Sequence, residues 1–251
     1  MTRATAAPGR IGAFFDLDGT LLPAPALEWR FIAWLASRDK IEGSHLGGWL
    51  GHFARNIWHD PYAATFENKF YLRGLPETLA AEWERSLADD SLRCFAPGIE
   101  RIAQHQAQGH RVVLVTGTLG SLARVMARRL PGSIEVRATE LDARDGRWTG
   151  RIASEHLRGE TKARALRHLA ALYELDLAGS YAYGNSLADL PMLEAVGHPV
   201  AVNPEVALER VACCGLEAAR RGVAERDWRV CAWKAKRSSR ERHLISASEP
   251  R

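Results

Sequence analysis

Two carboxylates stand two residues apart in the segment Phe14-Phe15-Asp16-Leu17-Asp18-Gly19-Thr20. The apolar run at 11–15 predicts a buried parallel strand, and Gly19-Thr20 predicts the turn that ends it. Alternate residues of a strand project to the same side, so Asp16 and Asp18 would face one site. Two such acids suit a hard cation such as Mg²⁺, and they allow one carboxylate to attack while the other carries protons. A lone Asp-Gly pair is more often a turn or cap, but three later segments favour the catalytic interpretation.

The second and third segments offer groups that bind phosphate. Residues 112–115 predict a buried strand, and Thr116-Gly117 follow it, so a hydroxyl and the N–H of a glycine turn would form a phosphate cradle. Lys162, at the start of a predicted helix, adds a point charge that neutralises phosphate. Each feature alone is ordinary, because Thr-Gly turns are common and most lysines are solvated. Their order along the chain carries the argument.

The fourth segment is Gly184-Asn185-Ser186-Leu187-Ala188-Asp189, between a predicted strand and a predicted helix. Asp189 would lie in the first turn of that helix, where the dipole favours an acid. Asn185 or Ser186 would cap the helix, and capping is compatible with metal binding.

In this order the four segments resemble the haloacid dehalogenase (HAD) superfamily. The chain is most similar to the phosphoserine-phosphatase-like branch, subfamily IB, whose helical cap is inserted between the first and second motifs. The resemblance implies that Asp16 is the nucleophile, forming an aspartyl-phosphate, and that Asp18 protonates the leaving alcohol and then activates water. It also implies that Thr116 and Lys162 hold the phosphoryl oxygens, with Gly117 beside them.

The resemblance further implies Mg²⁺, bound through Asp16, the backbone carbonyl of Asp18 and the fourth motif. That motif usually reads Gly-Asp, whereas this chain has Asn185 where the first acid stands. An amide oxygen ligates without charge, so either Asn185 is a neutral ligand or Asp189 completes the site, directly or through water. Weaker metal affinity is expected. Asp18 favours ester hydrolysis over dehalogenation, because the family's dehalogenases lack this second acid.

Alternating strands and helices predict an α/β fold, a doubly wound parallel sheet with a HAD Rossmann-like core and an inserted all-helical cap. Asp145-Gly146 predicts a β-hairpin within 140–152. Five of the eight tryptophans fall in the cap segment, and one or two are expected to face the site. The expected divisions are a core of 1–22 and 95–219, a cap of 23–94 and a basic tail of 220–251.

Composition is that of an ordinary globular protein, 46% hydrophobic and 25% charged. No apolar stretch reaches the roughly 18 residues of a membrane helix, and the N-terminus does not resemble a signal peptide. Four cysteines without metal-ligand spacing predict reduced thiols and a cytoplasmic location. The expected tail holds ten Lys/Arg and four Asp/Glu. Such a tail is most often solvated; it could contact an acidic partner, while nucleic acid is not favoured.

The leading functional hypothesis is a Mg²⁺-dependent phosphatase acting on a small-molecule phosphate ester. Glu28 with Arg30, Arg55 or Arg73 could hold the amine and carboxylate of phosphoserine. However, the stretch 23–27 and the tryptophan-rich cap favour a bulkier or more apolar leaving group. The alternatives are a lipid-phosphate phosphatase at a membrane surface and a non-catalytic HAD-fold binding protein. A phosphomutase is less favoured, since nothing marks a second phosphate site.

Overall fold

The computed structural model describes residues 10–88, 92–221 and 228–233. Its strands are β1 (Gly12–Phe15), β2 (Arg111–Leu119), β3 (Glu135–Thr139), β4 (Leu141–Arg144), β5 (Arg147–Ile152), β6 (Tyr181–Gly184), β7 (His198–Val202) and β8 (Arg229–Cys231). Its α-helices are α1 (Leu27–Ala36), α2 (Gly43–Asn56), α3 (Leu79–Ser86), α4 (Ala96–Ala107), α5 (Gly120–Arg129), α6 (Glu160–Tyr173), α7 (Leu190–Glu194) and α8 (Val206–Arg220). No described helix is long and apolar enough to span a bilayer.

Six strands form one parallel sheet in the order β3-β2-β1-β6-β7-β8, and β4 and β5 form a separate antiparallel hairpin. Along β1 and β2 the side chains alternate between two apolar clusters: Phe15 and Leu114 belong to one, Phe14 and Val113 to the other. Burial on both faces explains why these strands read as continuous apolar runs. The predicted doubly wound α/β core and the hairpin are confirmed.

The carboxyl end of β1 lies at the centre of the sheet. Phe15 pairs with Leu114 of β2 on one side and with Tyr183 of β6 on the other. The next residues of all three strands therefore emerge side by side at one edge. In open parallel sheets, ligands bind in the crevice at this edge, where the strand order reverses.

Helices α1 to α3, with a π-helical turn (Ala63–Glu67) and a 3-10 turn (Phe70–Leu72), form the predicted helical cap. The hairpin packs on this cap, although it falls within the segment expected to be core. The backbone N–H of Trp148 donates to the Leu75 carbonyl (3.0 Å), and the Trp148 carbonyl accepts from the Gly74 N–H (2.7 Å). Phe31 of α1 packs between Trp148 and Trp83, with ring centroids 6.1 and 5.4 Å away.

The second strand is longer than predicted. The sequence predicts that β2 ends before Thr116-Gly117 and that a glycine turn follows, whereas the strand continues to Leu119. Its pairing with β3 shifts between Thr116 and Leu119, which leaves Gly117 and Thr118 outside the regular ladder. This irregularity, rather than a turn, brings the Thr-Gly-Thr segment to the sheet edge, as β-bulges beside active sites do.

Part of the expected basic tail belongs to the core. Strand β8 pairs with β7, and the flanking Trp228 and Trp233 are only 5% and 9% exposed. The backbone N–H of Trp233 donates to the Asn203 Oδ1 (2.7 Å). The basic composition predicts a solvated end, but burial of the two indole rings stabilises this segment against the core. The rest of the expected tail, 222–227 and 234–251, lies outside the described residues. The four cysteines, all within the described ranges, are free thiols.

Trp233→Ala is expected to lower the free energy of unfolding by about 3–5 kcal/mol, because it removes a large buried ring from the core. The ring lies 6.1 Å from Tyr183 between centroids. Trp58→Ala is the matched control, since Trp58 is 88% exposed and its removal should change stability by no more than about 0.5 kcal/mol. Urea unfolding of both variants checks this, and equal effects would contradict the docking of this segment.

Candidate active site

A buried cluster of two aspartates and one lysine lies at the carboxyl ends of β1 and β6. The Lys162 Nζ, from the first turn of α6, is 2.6 Å from Asp16 Oδ1 and 2.5 Å from Asp189 Oδ1. Lys162, Asp16 and Asp189 are 4%, 5% and 1% exposed. Residues separated by up to 173 positions along the chain thus meet in one water-poor site, where their charges interact strongly.

The charges of this cluster depend on one another. Burial raises the pKa of Asp16 to about 7; the Lys162 ammonium opposes this rise and Asp189 adds to it. Burial alone would lower the pKa of Lys162, but the Asp16 and Asp189 carboxylates outweigh that effect and raise it above its ordinary value. Lys162 is therefore a permanent cation beside Asp16, and a negative group at this position would be stabilised by it.

Asp189 organises the loop after β6. Its Oδ2 accepts hydrogen bonds from the N–H groups of Asn185 and Ser186 (both 3.0 Å) and lies 3.2 Å from the Ser186 hydroxyl. The predicted capping is confirmed at Ser186, which forms a capping box with Asp189. Both oxygens of Asp189 are committed, one to Lys162 and one to this loop. The Asn185 side chain points instead toward Thr20, whose hydroxyl lies 3.3 Å from the Asn185 Oδ1.

Asp18 faces the cap. Its Oδ1 accepts from the Leu27 N–H at the start of α1 (2.7 Å), and its Oδ2 accepts from the Thr118 hydroxyl. Burial raises the pKa of Asp18, and these two hydrogen bonds act in the opposite direction. The second carboxylate is thus held in a fixed orientation between the core and the cap, separate from the Asp16–Lys162 pair.

Thr116 and Gly117 line the same cavity as the acids. The Thr116 hydroxyl bonds within its own segment, 3.2 Å from the Thr118 Oγ1 and from the Thr118 N–H. Gly117 lies against the 156–157 segment: a Cβ there would be 3.2 Å from the Leu157 carbonyl oxygen and 3.4 Å from the His156 Nε2. Glycine therefore allows a close approach of this segment beside Thr116.

The oxygen donors around Asp16 fit a divalent cation. The Thr20 hydroxyl lies 3.3 Å from both the Asp16 Oδ2 and the Asn185 Oδ1, so these oxygens face the same space. One lysine faces three carboxylates, which leaves an excess of negative charge in a buried place. Among the described residues, no three His, Cys, Asp or Glu side chains form a metal cluster. A cation would therefore rely on one carboxylate, an amide and backbone oxygens.

The cavity above these residues has a volume of about 580 Å³, and residues of the cap line part of it. Three of its cap residues form a polar triad: Glu28 Oε1 accepts from Lys69 Nζ (2.7 Å) and from the Tyr71 hydroxyl. Glu28, which the sequence offers as a ligand for a substrate amine, is thus already paired. Trp29 and Trp49 also line the cavity, as expected for one or two cap tryptophans.

The structure brings together all seven candidate residues: they line one cavity, on the core side. Sequence reasoning missed Thr118 and Thr20, the hydroxyl residues that contact Asp18 and Asp16. A signal for each was present, because Thr118 lies two positions after Thr116 on a strand and Thr20 closes the first motif. No comparable signal marks the contact of Lys69 and Tyr71 with Glu28, which depends on how the cap helices pack.

The fold and the site combine a parallel α/β sheet with paired aspartates, a buried lysine and a helical cap. A family model for haloacid dehalogenase-like hydrolases matches residues 13–194. The chain belongs to this family, and the predicted resemblance is confirmed.

Three known proteins illustrate the relationship. A probable phosphatase of Mycobacterium tuberculosis is 32% identical over 222 residues, covering 83% of this chain and 74% of that protein. A phosphoserine phosphatase of the same organism is 40% identical over 131 residues, covering 52% of this chain and 40% of that protein. The solved structure of a Bordetella pertussis Tohama I protein of unknown function superposes with a TM-score of 0.64 at 28% identity, covering 89% and 98% of the two chains.

Proposed function

We propose that this chain hydrolyses a phosphate monoester of a small molecule, with Mg²⁺ and through an aspartyl-phosphate on Asp16. The observation that carries the proposal is the separate placement of the two acids. Asp16 is paired with a buried lysine at the sheet edge, while Asp18 is held by the cap and by Thr118. One carboxylate is therefore available to attack and the other to transfer protons.

The roles follow from this placement. The Asp16 carboxylate attacks phosphorus and the ester oxygen leaves, taking a proton from Asp18. Asp18 then accepts a proton from water, which attacks the phosphoenzyme and releases inorganic phosphate. Lys162 holds the phosphoryl oxygens near Asp16, with Thr116 and Gly117 beside them. Asp189 holds Lys162 and the Asn185 loop in position. Most of the catalysis is in-line positioning and charge neutralisation.

Mg²⁺ would be held by the Asp16 carboxylate, the Asp18 backbone carbonyl and the Asn185 amide oxygen. When bound, the cation neutralises phosphate charge and orients the ester for attack. Asp189 is the weaker candidate ligand, because both its oxygens already accept hydrogen bonds from Lys162 and from the loop.

Release of p-nitrophenol from p-nitrophenyl phosphate tests the proposal directly. Turnover is expected with Mg²⁺, should disappear when EDTA removes the metal, and should return when excess Mg²⁺ is added. A well-folded protein that shows no turnover under any of these conditions would favour the non-catalytic binding protein.

Asn185→Asp is expected to lower the half-saturating Mg²⁺ concentration, because it adds a negative charge to an oxygen site whose ligand charge tunes affinity. The measurement is the Mg²⁺ dependence of turnover at fixed substrate. Gln104→Glu is the matched control, since it adds the same charge at an exposed position outside the cavity lining. An unchanged Mg²⁺ requirement in Asn185→Asp would remove Asn185 from the proposed ligands and return Asp189 to consideration.

A further inference from the structure

Six of the cap residues that line the cavity are apolar. We call this group the cap wall, and its residues are Trp29, Ile32, Ile41, Leu46, Trp49 and Phe66. The cavity volume of about 580 Å³ lies within the range of roughly 300–1,000 Å³ typical of pockets for drug-sized ligands. A small polar alcohol on the phosphate would leave most of the cap wall in contact with water.

The charged side chains among the described cap residues of this cavity neutralise each other. These are Glu28 and Lys69, joined at 2.7 Å and completed by the Tyr71 hydroxyl. A substrate amine would have to displace Lys69 from Glu28, and a substrate carboxylate would have to displace Glu28 from Lys69. Lys69 is itself buried, so either exchange exposes an uncompensated charge. The Glu28–Lys69 pair therefore disfavours an amino-acid leaving group on the cap side, and the other charged residues of the cavity lining, such as Arg158 and Glu205, lie outside the cap.

Two further residues contact Phe66 of the cap wall, the uncharged His156 and the cation Arg158. The His156 ring stacks on the Phe66 ring, with 6.1 Å between the ring centroids. Its Nδ1 forms a hydrogen bond with the Tyr62 hydroxyl (2.9 Å). Burial lowers the pKa of His156 to about 4, so the ring is neutral at physiological pH. The Arg158 guanidinium lies 4.5 Å from the centre of the Phe66 ring and lines the cavity, where its charge suits an anionic substrate.

The cap wall continues to the protein surface. Trp29 and Leu46 line the cavity and are nevertheless 65% and 56% exposed. Leu50, one turn beyond Leu46 on α2, is also exposed. Clustered exposed apolar side chains beside a cavity are typical of ligand-binding grooves. An apolar group longer than the cavity would therefore leave it along an apolar path.

We propose that the natural substrate is a phosphomonoester of an apolar alcohol, with its phosphate at Asp16 and its alkyl or aryl group against the cap wall. This inference rests on the proposed phosphatase function and names its substrate class. It excludes phosphoserine as the preferred substrate, although a similar protein carries that name.

The test is a chain-length series. We expect kcat/KM for n-alkyl phosphates, each below its micelle concentration, to rise by up to about fourfold per methylene from butyl to octyl phosphate until the wall is covered. O-phosphoserine should be at least about tenfold poorer than octyl phosphate, since it buries little of the same surface. A parallel assay of phosphatidate in phosphatidylcholine vesicles identifies the source of the apolar group: turnover there at a comparable rate supports a lipid.

Two variants assign the effect to the cap wall. Trp49→Ala should reduce the preference for octyl over butyl phosphate by about tenfold, through lost apolar contact. Leu46→Ser, at the exposed rim, should also reduce the preference for octyl over butyl phosphate. This variant replaces Trp49→Ala in the test if Trp49→Ala fails to fold. Trp58→Ala is the control, because this exposed tryptophan lies outside the cavity lining and should leave the preference unchanged.

The outcomes separate the two proposals. If p-nitrophenyl phosphate is turned over but kcat/KM does not rise with alkyl length, or phosphoserine is preferred, the substrate class is wrong and the phosphatase function stands. If no ester is hydrolysed, the phosphatase function is wrong, and calorimetric binding of alkyl phosphates to the Asp16→Asn variant tests the cap wall without turnover. Equal affinity for butyl and octyl phosphate would then overturn the substrate class.

Discussion

Asp16→Asn is expected to reduce kcat by about a thousandfold or more while the protein stays folded, because an amide is not a competent nucleophile and adds no charge for a cation. Removing this carboxylate should not unfold the protein. Asp16 is a buried acid whose pKa is raised by burial, so its charge is costly to the fold, and Lys162 keeps its second partner, Asp189. The measurements are phosphate release under saturating substrate and the midpoint of thermal unfolding.

Asp142→Asn is the control for this prediction. Asp142 lies on the β4–β5 hairpin, where its Oδ2 accepts from the Thr149 hydroxyl (3.0 Å), outside the cavity lining. The Asp142→Asn variant should hydrolyse substrate at the wild-type rate. Residual turnover above about a hundredth of wild type in a clean Asp16→Asn preparation would remove Asp16 from the nucleophile role.

Lys162→Met is expected to lower both activity and stability. The phosphoryl group loses its buried cation, a change that costs about a hundredfold to a thousandfold when one such charge-stabilising group is removed. The protein loses the ammonium that Asp16 and Asp189 share, and removing one partner of a buried ion pair typically costs about 3–5 kcal/mol. Steady-state kinetics and urea unfolding in the presence of EDTA measure the two effects.

Arg164→Met is the matched control on the same helix. The Arg164–Glu155 pair is as short, at 2.6 Å, but both side chains are more than half exposed. Exposed pairs contribute about 0–1 kcal/mol, so this variant should retain stability and turnover. If Lys162→Met were as active and stable as Arg164→Met, the lysine would have no part in the site.

The sequence predicts that the candidate site residues lie together, because each belongs to a short motif at the end of an element. Asp16 and Asp18 follow an apolar strand, and Asp189 begins a helical turn, so local rules place them correctly. The parallel sheet follows from the alternation of strands and helices. The residues around Lys162 form the least distinctive of these motifs. Lys162 is identified by its order along the chain, after the second motif and before the fourth.

What the sequence does not predict depends on contacts between distant segments. The continuation of β2 past Thr116 results from pairing with β3, and Thr-Gly-Thr taken alone indicates a turn. Strand β8 lies in a basic stretch whose composition indicates a solvated end, and only the docking of Trp228 and Trp233 overrides that signal. Glu28 and Lys69 are 41 positions apart, so neither a helical nor a strand periodicity in the sequence predicts that they form an ion pair.

One backbone N–H connects the second carboxylate to the cap. The Leu27 N–H that bonds Asp18 is also the first of helix α1, the helix that carries part of the cap wall. The Thr118 hydroxyl, from the core, bonds the other oxygen of the same carboxylate. The orientation of Asp18 therefore depends jointly on where helix α1 is seated and on strand β2, so that the side chain joins the two parts of the molecule.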